Sequence, residues 1–299
     1  MTDPIRPQHA TLASSLPSLG AMGVAMISVQ IGASFAKSLF PVVGAQGATT
    51  LRVTIAAAIL VVALRPWRSR VDRAAWPVLL GYGVSLGVMN LLFYSCLQTI
   101  PLGVAVALEF TGPLGVAVLS SRRWIDFLWI GLAVAGLLTL LPLWKQPHPL
   151  DPVGIALALG AGLCWALYIV FGQKAGTAHG SQSTAIGMVI AAMVVIPVGV
   201  MHAGAGLLSP AIFLSAVGVA ILSSVLPYSF EMFALTRMPV RVFGTLMSLE
   251  PAVAALMGWL ILHEALSLHQ GLAIAAIMLA SLGTTLTMGA GGAAPVGVD

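Results

Sequence analysis

Five ionisable side chains lie inside stretches of the sequence that are otherwise almost wholly apolar. The clearest is Glu109, the one charge in VAVALEFTGP (residues 104–113). A charge is costly to place in such a stretch unless it meets an opposite charge, a charged solute or a mobile proton. These side chains are therefore the first candidates for chemistry: Lys37, Arg52, Glu109, Glu231 and Glu250.

Uncharged polar side chains recur beside these charges at intervals of three or four residues, which places them on common faces of predicted helices. One such stripe can simply be an interhelical contact. Four stripes that end on charged residues instead favour one shared polar cavity, and we predict that their members bind a solute or couple its movement. The stripes contain Gln30 and Ser34 beside Lys37, Asn90 and Tyr94, Trp165 and Tyr168, and Tyr228 beside Glu231.

Each charge also has a less specific interpretation. With a rise of about 1.5 Å per residue, Arg52 and Glu109 lie at nearly one depth, so they can form a structural ion pair or close on a zwitterion between them. Lys37 is shallower and can extend its ammonium group to the membrane surface. Glu231 can be neutralised by a basic residue near the inner side, either Arg237 or Lys174.

Two prolines accompany the deepest carboxylates. Pro113 lies four residues after Glu109, and Pro251 follows Glu250 directly. A proline has no backbone N–H, so it leaves the carbonyl four residues earlier without its usual helix donor. We predict that both prolines weaken their helices, either as gating points or by freeing a carbonyl near the site.

The composition requires a membrane around all of these residues. Of the 299 residues, 59% are hydrophobic and 7% are charged, against about 25% charged in an average soluble domain. A spanning helix needs roughly 20 apolar residues. The sequence therefore predicts an all-α integral membrane protein with ten spans, approximately 19–40, 47–64, 76–99, 102–121, 127–144, 152–173, 183–203, 211–235, 242–262 and 268–289.

The distribution of basic residues predicts the orientation, because cytoplasmic loops are enriched in lysine and arginine. With the N-terminus inside, ten of the 13 basic residues fall at cytoplasmic ends, and only Lys145 falls in an outside loop. We therefore expect cytoplasmic tails at 1–18 and 290–299. The cytoplasmic residues are Arg6, Arg65, Arg68, Arg70, Arg73, Arg122, Arg123, Lys174, Arg237 and Arg241.

The second half of the chain repeats the first at an offset close to 138 residues. Pro101 and Pro113 correspond to Pro239 and Pro251, and GLAVAG at 131–136 faces GLAIAA at 271–276. This nearly constant offset indicates two five-helix repeats, 19–145 and 151–289. Because five is odd, the second repeat enters the membrane inverted, an arrangement typical of secondary transporters with a site near the midplane.

Several long motifs make a family resemblance specific. GASFAKSLFPVVGA (32–45), PLGVAVALEFTGPLGVAVLSSRR (101–123) and LPYSFEMFALTRMPVRVFGTLMSLEPA (226–252) resemble bacterial threonine/homoserine exporters. Those exporters belong to the drug/metabolite transporter superfamily, whose members have two EamA-type repeats. The similarity extends from about Ala21 to Met288. Threonine and homoserine as substrates are implied by this resemblance alone.

These observations predict a secondary transporter of the bacterial inner membrane that exports small amino acids by alternating access. An exporter of cationic drugs or other small metabolites is the alternative, although such a substrate accounts poorly for Lys37 and Arg52. A membrane enzyme would need a nucleophile–base or metal constellation, and a sensor would need a soluble output domain. A lipid scramblase would need a polar groove open to lipid.

The expected partners follow from this function. They are the amino-acid substrate, protons that exchange with it, and membrane lipid, and the protein is expected to be a monomer or a weak oligomer. No cofactor or metal is expected, and the GxxxxGK[ST] motif of ATP-driven proteins is absent. Nucleic acid is not an expected partner, because the basic residues are scattered and lack interleaved aromatic residues.

Overall fold

The computed structural model describes residues 12–36, 39–68, 71–96, 98–100, 105, 108–140, 151–247, 249–250, 253 and 268–288. Within these residues the chain is helical with short connections, and none of them lies in a β-strand. The principal helices are α1 (Leu12–Ala36), α2 (Phe40–Leu64), α3 (Trp76–Cys96), α4 (Thr111–Ser120), α5 (Trp124–Leu140), α6 (Pro152–His179), α7 (Gln182–Ala203), α8 (Pro210–Ala220), α9 (Leu226–Leu235), α10 (Val240–Met247) and α11 (Leu268–Met288).

Many of these helices have the length and composition of membrane spans, which confirms the predicted all-α membrane fold. Five helical stretches in the described part of the chain are long and apolar enough to cross a bilayer: Phe40–Leu64, Arg73–Cys96, Pro152–His179, Gln182–Leu208 and Pro210–Leu235. Shorter apolar helices cover Leu16–Gly32, Thr111–Ser120, Trp124–Thr139 and Gly271–Thr284.

The outer surface of the structure is apolar, unlike that of a soluble protein, and charged side chains lie inside. Large apolar side chains such as Leu119 (85% exposed) and Leu214 (83% exposed) lie on the outer surface, whereas Arg52 and Glu109 are only 6% and 8% exposed. Lipid can cover the apolar exterior, because no polar group there has to give up its water. The charged groups lie inside the protein and do not contact lipid. The polar residues are thus held between helices.

The helices pack in a few extended pairs. Helix α3 packs against α6 and α7, α2 packs against α7, and α5 packs against α11. Helix α1 packs along α8 and α9, and α4 packs against both α6 and α10. These pairs bring residues from both halves of the sequence into the centre of the molecule.

Small residues allow the closest of these contacts. Helices α4 and α6 meet backbone to backbone at Gly112 and Gly162, where a methyl group built on Gly162 would lie 2.7 Å from the carbonyl oxygen of Glu109. Membrane helices use such residues because van der Waals packing, rather than the hydrophobic effect, holds them together. The contact fixes the depth and position of Glu109 against α6.

Substitution of Gly162 by alanine should therefore destabilise the protein by about 1–3 kcal/mol, the usual cost of overpacking. A lower midpoint of thermal unfolding in detergent would report this loss. Gly115→Ala on α4 is the matched control, because nothing lies within 4 Å of a methyl group built there. The control should be neutral or slightly stabilised by its better helix propensity, and an equal loss in both variants would contradict the explanation.

Several helix boundaries differ from the predicted ones. Helix α1 begins at Leu12, so residues 12–18 of the predicted tail are helical, and α2 begins at Phe40 rather than at 47. Helix α6 continues from 173 to His179 and ends at Gly180, which has φ 59°. The predicted gap between spans 19–40 and 47–64 contains Pro41, but a proline in the first helical turn removes no bond that the helix would otherwise make. Spans 102–121 and 242–262 are described only in part.

Candidate functional site

A set of polar and aromatic side chains, here called the polar cluster, lies where α2, α3, α6 and α9 meet. Every member is predicted as a site residue from its charge or from its spacing along a helix. All of them are buried except Tyr94, which is half-buried. The members are Arg52, Asn90, Tyr94, Tyr168, Tyr228 and Glu231.

Asn90 is the central hydrogen-bonding residue of the polar cluster. Its side-chain oxygen accepts a bond from Arg52, and its amide nitrogen donates to the hydroxyl of Tyr228 at 3.2 Å. The same nitrogen also donates to the carbonyl of Leu86 at 2.8 Å, which fixes the orientation of the amide. Asn90 and Tyr228 are 138 residues apart, so the two bonded side chains occupy positions that the sequence repeat makes equivalent.

Arg52 uses only part of its hydrogen-bonding capacity. Besides the bond to Asn90, its Nη1 donates to the carbonyl of Ser223 at 3.4 Å, and its guanidinium lies 5.2 Å from the centre of the Tyr94 ring. Its Nε is buried and has no hydrogen-bond partner in the described part of the chain. The alternative in which Arg52 forms a direct ion pair with Glu109 is therefore wrong for this structure.

The carbonyl that Arg52 contacts belongs to a break in the predicted span 211–235. Residues Ile221–Val225 form a π-helical turn between α8 and α9, and Pro227 lacks the N–H that would normally bond to Ser223 four residues earlier. Arg52 supplies a donor to this carbonyl. The neighbouring carbonyl of Leu222 accepts a bond from the hydroxyl of Ser28 on α1 at 2.7 Å. Single π-turns within α-helices are frequent at functional sites.

Glu231 is held by an aromatic side chain, and not by a basic one. The hydroxyl of Tyr168 donates to Oε2 of Glu231 at 2.9 Å. The predicted alternative of a pair with Arg237 is wrong, because the guanidinium of Arg237 donates to the carbonyl of Phe233 and lies 3.7 Å from the centre of its ring. Lys174, the other basic candidate, is exposed.

Stacked rings connect this pair to Asn90. The Tyr168 ring is stacked on Tyr82 at 5.3 Å and lies edge-on to Tyr228 at 5.9 Å. The sequence analysis did not select Tyr82, although its ring is fully buried and its hydroxyl has no partner among the described residues. The stripe of Asn90 continued two turns back along α3 would have included it, because 82, 86 and 90 share a face.

Glu109 lies next to the polar cluster without a bond to it. Its backbone carbonyl, freed by Pro113, faces Gly162, and its neighbour Phe110 packs edge-on against Trp165 at 4.9 Å. Arg52 and Glu250 both interact electrostatically with its carboxylate. Arg52 and Glu109 thus interact electrostatically and share no direct bond.

The remaining carboxylate, Glu250, connects the other two electrostatically. It interacts with Glu109 and also with Glu231. Glu250 therefore influences carboxylates from two other helical segments. Since like charges repel most strongly where water is scarce, a proton or a cationic group among them would relieve the repulsion.

The other predicted site residues are described less completely. Gln30 on α1 is half-buried and makes contacts within the protein. Ser34 lies in α1, and its side chain is outside the described part of the structure, as are Lys37 and Pro251 as a whole. Among the described residues, no three histidine, cysteine, aspartate or glutamate side chains are grouped as metal ligands.

Comparisons with known proteins identify related chains over most of this sequence. Residues 152–286 match the EamA-like transporter family. A protein of Escherichia coli K12 named threonine/homoserine exporter RhtA is 56% identical over 265 residues, which cover 89% of this chain and 90% of that protein. The protein of the same name from Salmonella typhimurium LT2 is 54% identical over the same shares of the two chains.

A more distant relative and a solved structure extend the comparison. An uncharacterized transporter of Bacillus subtilis, YwfM, is 28% identical over 231 residues, or 73% of this chain and 77% of that protein. One crystal structure superposes with a TM-score of 0.73 at 19% identity and covers 90% of this chain and 97% of its own. At that identity the superposition establishes a shared fold.

Proposed function

The chain belongs to the EamA-like transporter family, and from this premise we propose that it is a secondary transporter that exports threonine and homoserine across the bacterial inner membrane. The observation that supports the substrates best is its 56% identity, over 89% of its length, to a protein named for their export. The buried polar cluster is chemically suited to them, because it offers cationic, anionic and hydroxyl groups within one apolar bundle.

The proposed architecture is ten spans in two inverted five-helix repeats, 19–145 and 151–289. The helix contacts support it, because exchange of the two halves largely preserves them. The contact of α3 with α6 corresponds to that of α8 and α9 with α1, and the pairs α2 with α7, α4 with α10 and α5 with α11 each map onto themselves. The bond between Asn90 and Tyr228, at equivalent positions, agrees with a site between the repeats.

The proposed orientation has both termini and the Arg65–Arg73 connection in the cytoplasm. A single cysteine introduced at position 148, in a variant without Cys96 and Cys164, should react with a membrane-impermeant maleimide added outside intact cells. A cysteine at Arg68 should react only after the cells are opened. The reverse pattern would overturn the orientation and, with it, the interpretation of the basic residues.

The proposed cycle is alternating access, with the twelve predicted binding or coupling residues lining the solute path. A proton that exchanges with the solute on Glu109, Glu231 or Glu250 would provide the coupling. Pro113 and Pro251 are the proposed points of helix bending. Since Glu250 interacts electrostatically with both Glu109 and Glu231, its occupation by a proton or an ammonium group changes the field at the other two.

Counterflow in proteoliposomes tests the function directly. Vesicles loaded with unlabelled threonine should accumulate radiolabelled threonine or homoserine, whereas protein-free vesicles should not. Under the alternative of cationic-drug export, a fluorescent cationic dye would show counterflow and threonine would not. A fluorescent phospholipid exchanged between leaflets without amino-acid counterflow would instead indicate a scramblase. The expected result is counterflow of the amino acids alone.

A further inference from the structure

We propose that Arg52, positioned by Asn90 and the π-helical turn Ile221–Val225, binds the α-carboxylate of the transported amino acid. The proposal rests on the proposed function and assigns one group of the substrate to one residue. It begins from the charge of Arg52, which is 6% exposed within an apolar bundle. In the described part of the structure, no carboxylate forms an ion pair with this guanidinium.

Such a buried cation is costly unless a counter-charge reaches it. The groups that contact Arg52 are the amide oxygen of Asn90, the carbonyl of Ser223 and the ring of Tyr94, and none of these has a net charge. Glu109 contributes an electrostatic interaction without a bond. A bound solute must therefore supply the negative charge that contacts Arg52 directly. An amino acid supplies this charge as its α-carboxylate.

The donors of Arg52 are arranged to accept a carboxylate without loss of their present support. Its Nε is buried and unpartnered, and its bond to Ser223 is long at 3.4 Å. A carboxylate that bonds to Nε gains a charge-assisted pair without using Nη1 or Nη2, the two nitrogens that bond to Ser223 and Asn90. The bond to Asn90 keeps the guanidinium in its orientation, because the side chain of Asn90 is itself fixed by its bonds to Leu86 and Tyr228.

The π-helical turn has a specific part in this arrangement. Pro227 frees the carbonyl of Ser223, and that carbonyl holds Arg52 while no carboxylate is bound. With any residue other than proline at position 227, a continuous α-helix would use the same carbonyl to accept the backbone N–H of that residue. The ammonium group of a bound substrate would then face Glu109, which already interacts electrostatically with Arg52.

A substrate series in wild-type proteoliposomes tests the assignment without any mutation. Unlabelled threonine should compete with labelled threonine at least roughly tenfold better than threoninamide, which keeps the ammonium and hydroxyl groups and lacks the carboxylate. Equal competition by the two compounds, in vesicles that show threonine counterflow, would overturn the assignment and leave the proposed function intact. Absence of threonine counterflow would overturn the proposed function itself and the assignment that rests on it.

Variants of Arg52 then identify the residue. Arg52→Gln should raise the KM for threonine roughly tenfold or more and leave competition by threoninamide unchanged, so that the preference for a carboxylate is lost. Arg52→Lys should retain part of the preference, because a point charge replaces the fork of donors. The matched control is Arg65→Gln at the exposed C-terminal end of the same helix, which should behave as wild type. An unchanged preference in Arg52→Gln would overturn the assignment.

Discussion

The Glu109→Gln variant is expected to lose threonine efflux by roughly 10- to 150-fold while its amount in the membrane stays that of the wild type. The range corresponds to about 1.5–3 kcal/mol for a hydrogen bond to a charged group. Glutamine keeps the size of the side chain and removes its charge, so the packing of α4 on α6 at Gly112 and Gly162 is preserved. The solute or its exchanging proton then lacks an anionic partner at this depth.

Efflux from cells loaded with threonine, normalised to the protein present in membrane fractions, measures this effect. Asp151→Asn is the matched control for loss of a carboxylate, because Asp151 caps α6 by accepting bonds from Val153 and Gly154 and asparagine caps almost equally well. The control should export threonine normally. Normal efflux by Glu109→Gln would contradict the proposed role of Glu109.

The double variant Arg52→Gln with Glu109→Gln distinguishes a functional role from a structural one. If each residue binds a different group of the substrate, removal of both charges leaves neither group bound, and efflux stays low. If the two charges serve only to neutralise each other across the bundle, the neutral pair removes both at once and efflux recovers. We expect no recovery, since Arg52 and Glu109 share no direct bond in this structure.

Helical spacing predicts most of the side chains that the structure brings together. Asn90, Tyr168 and Tyr228 recur every three or four residues beside a charge, and they form one group through a hydrogen bond and an edge-on ring contact. This works because a helix in lipid has a fixed period and a strong penalty for polar groups on its outer face. Their role in substrate binding stays a prediction.

The partners of the charged residues could not be found in the same way. Arg52 was expected opposite Glu109 on depth alone, yet it bonds to Asn90 and Ser223. Depth is given by the rise along a helix, whereas the choice between neighbours at one depth is decided by helix rotation and packing distance. The π-helical turn that exposes the Ser223 carbonyl inserts one extra residue in a turn, and hydrophobic periodicity over a single turn does not reveal it.

Proline and glycine did not mark helix ends uniformly. Pro197 lies inside α7, whereas Gly44, with φ 67° and ψ 179°, is non-helical and forms a kink that separates the first turn of α2 from the rest of the helix. In a bilayer a helix interrupted at one residue remains preferable to a loop, because an irregular backbone exposed to lipid leaves several polar groups unsatisfied. The regular part of α2, which follows Gly44, therefore begins within a few residues of the predicted start at 47.

Removal of the bond between Tyr168 and Glu231 should have the other large effect on transport. Tyr168→Phe deletes only the hydroxyl that donates to Glu231 at 2.9 Å and keeps the ring that packs between Tyr82 and Tyr228. Phenylalanine is the informative substitution, since alanine at this fully buried position would leave a cavity and reduce the amount of protein. Efflux by Tyr168→Phe should fall roughly tenfold or more.

A double-mutant cycle shows whether the two groups act as one unit. Glu231→Gln should also lower efflux at least roughly tenfold, and the combination with Tyr168→Phe should be no worse than the more severe single variant, because both remove the same interaction. Ser229→Ala is the control on α9, as its hydroxyl donates to the carbonyl of Val225, four residues earlier in the chain, at 2.6 Å and not to Glu231. Fully additive losses would mean that Tyr168 and Glu231 act separately. Losses confined to protein amount would mean that their bond serves only the fold. We expect non-additive losses of transport with an unchanged amount of protein in the membrane. The reason is that a neutral hydroxyl leaves the charge of a buried carboxylate uncompensated, so a proton or an ammonium group can take the place of the hydroxyl.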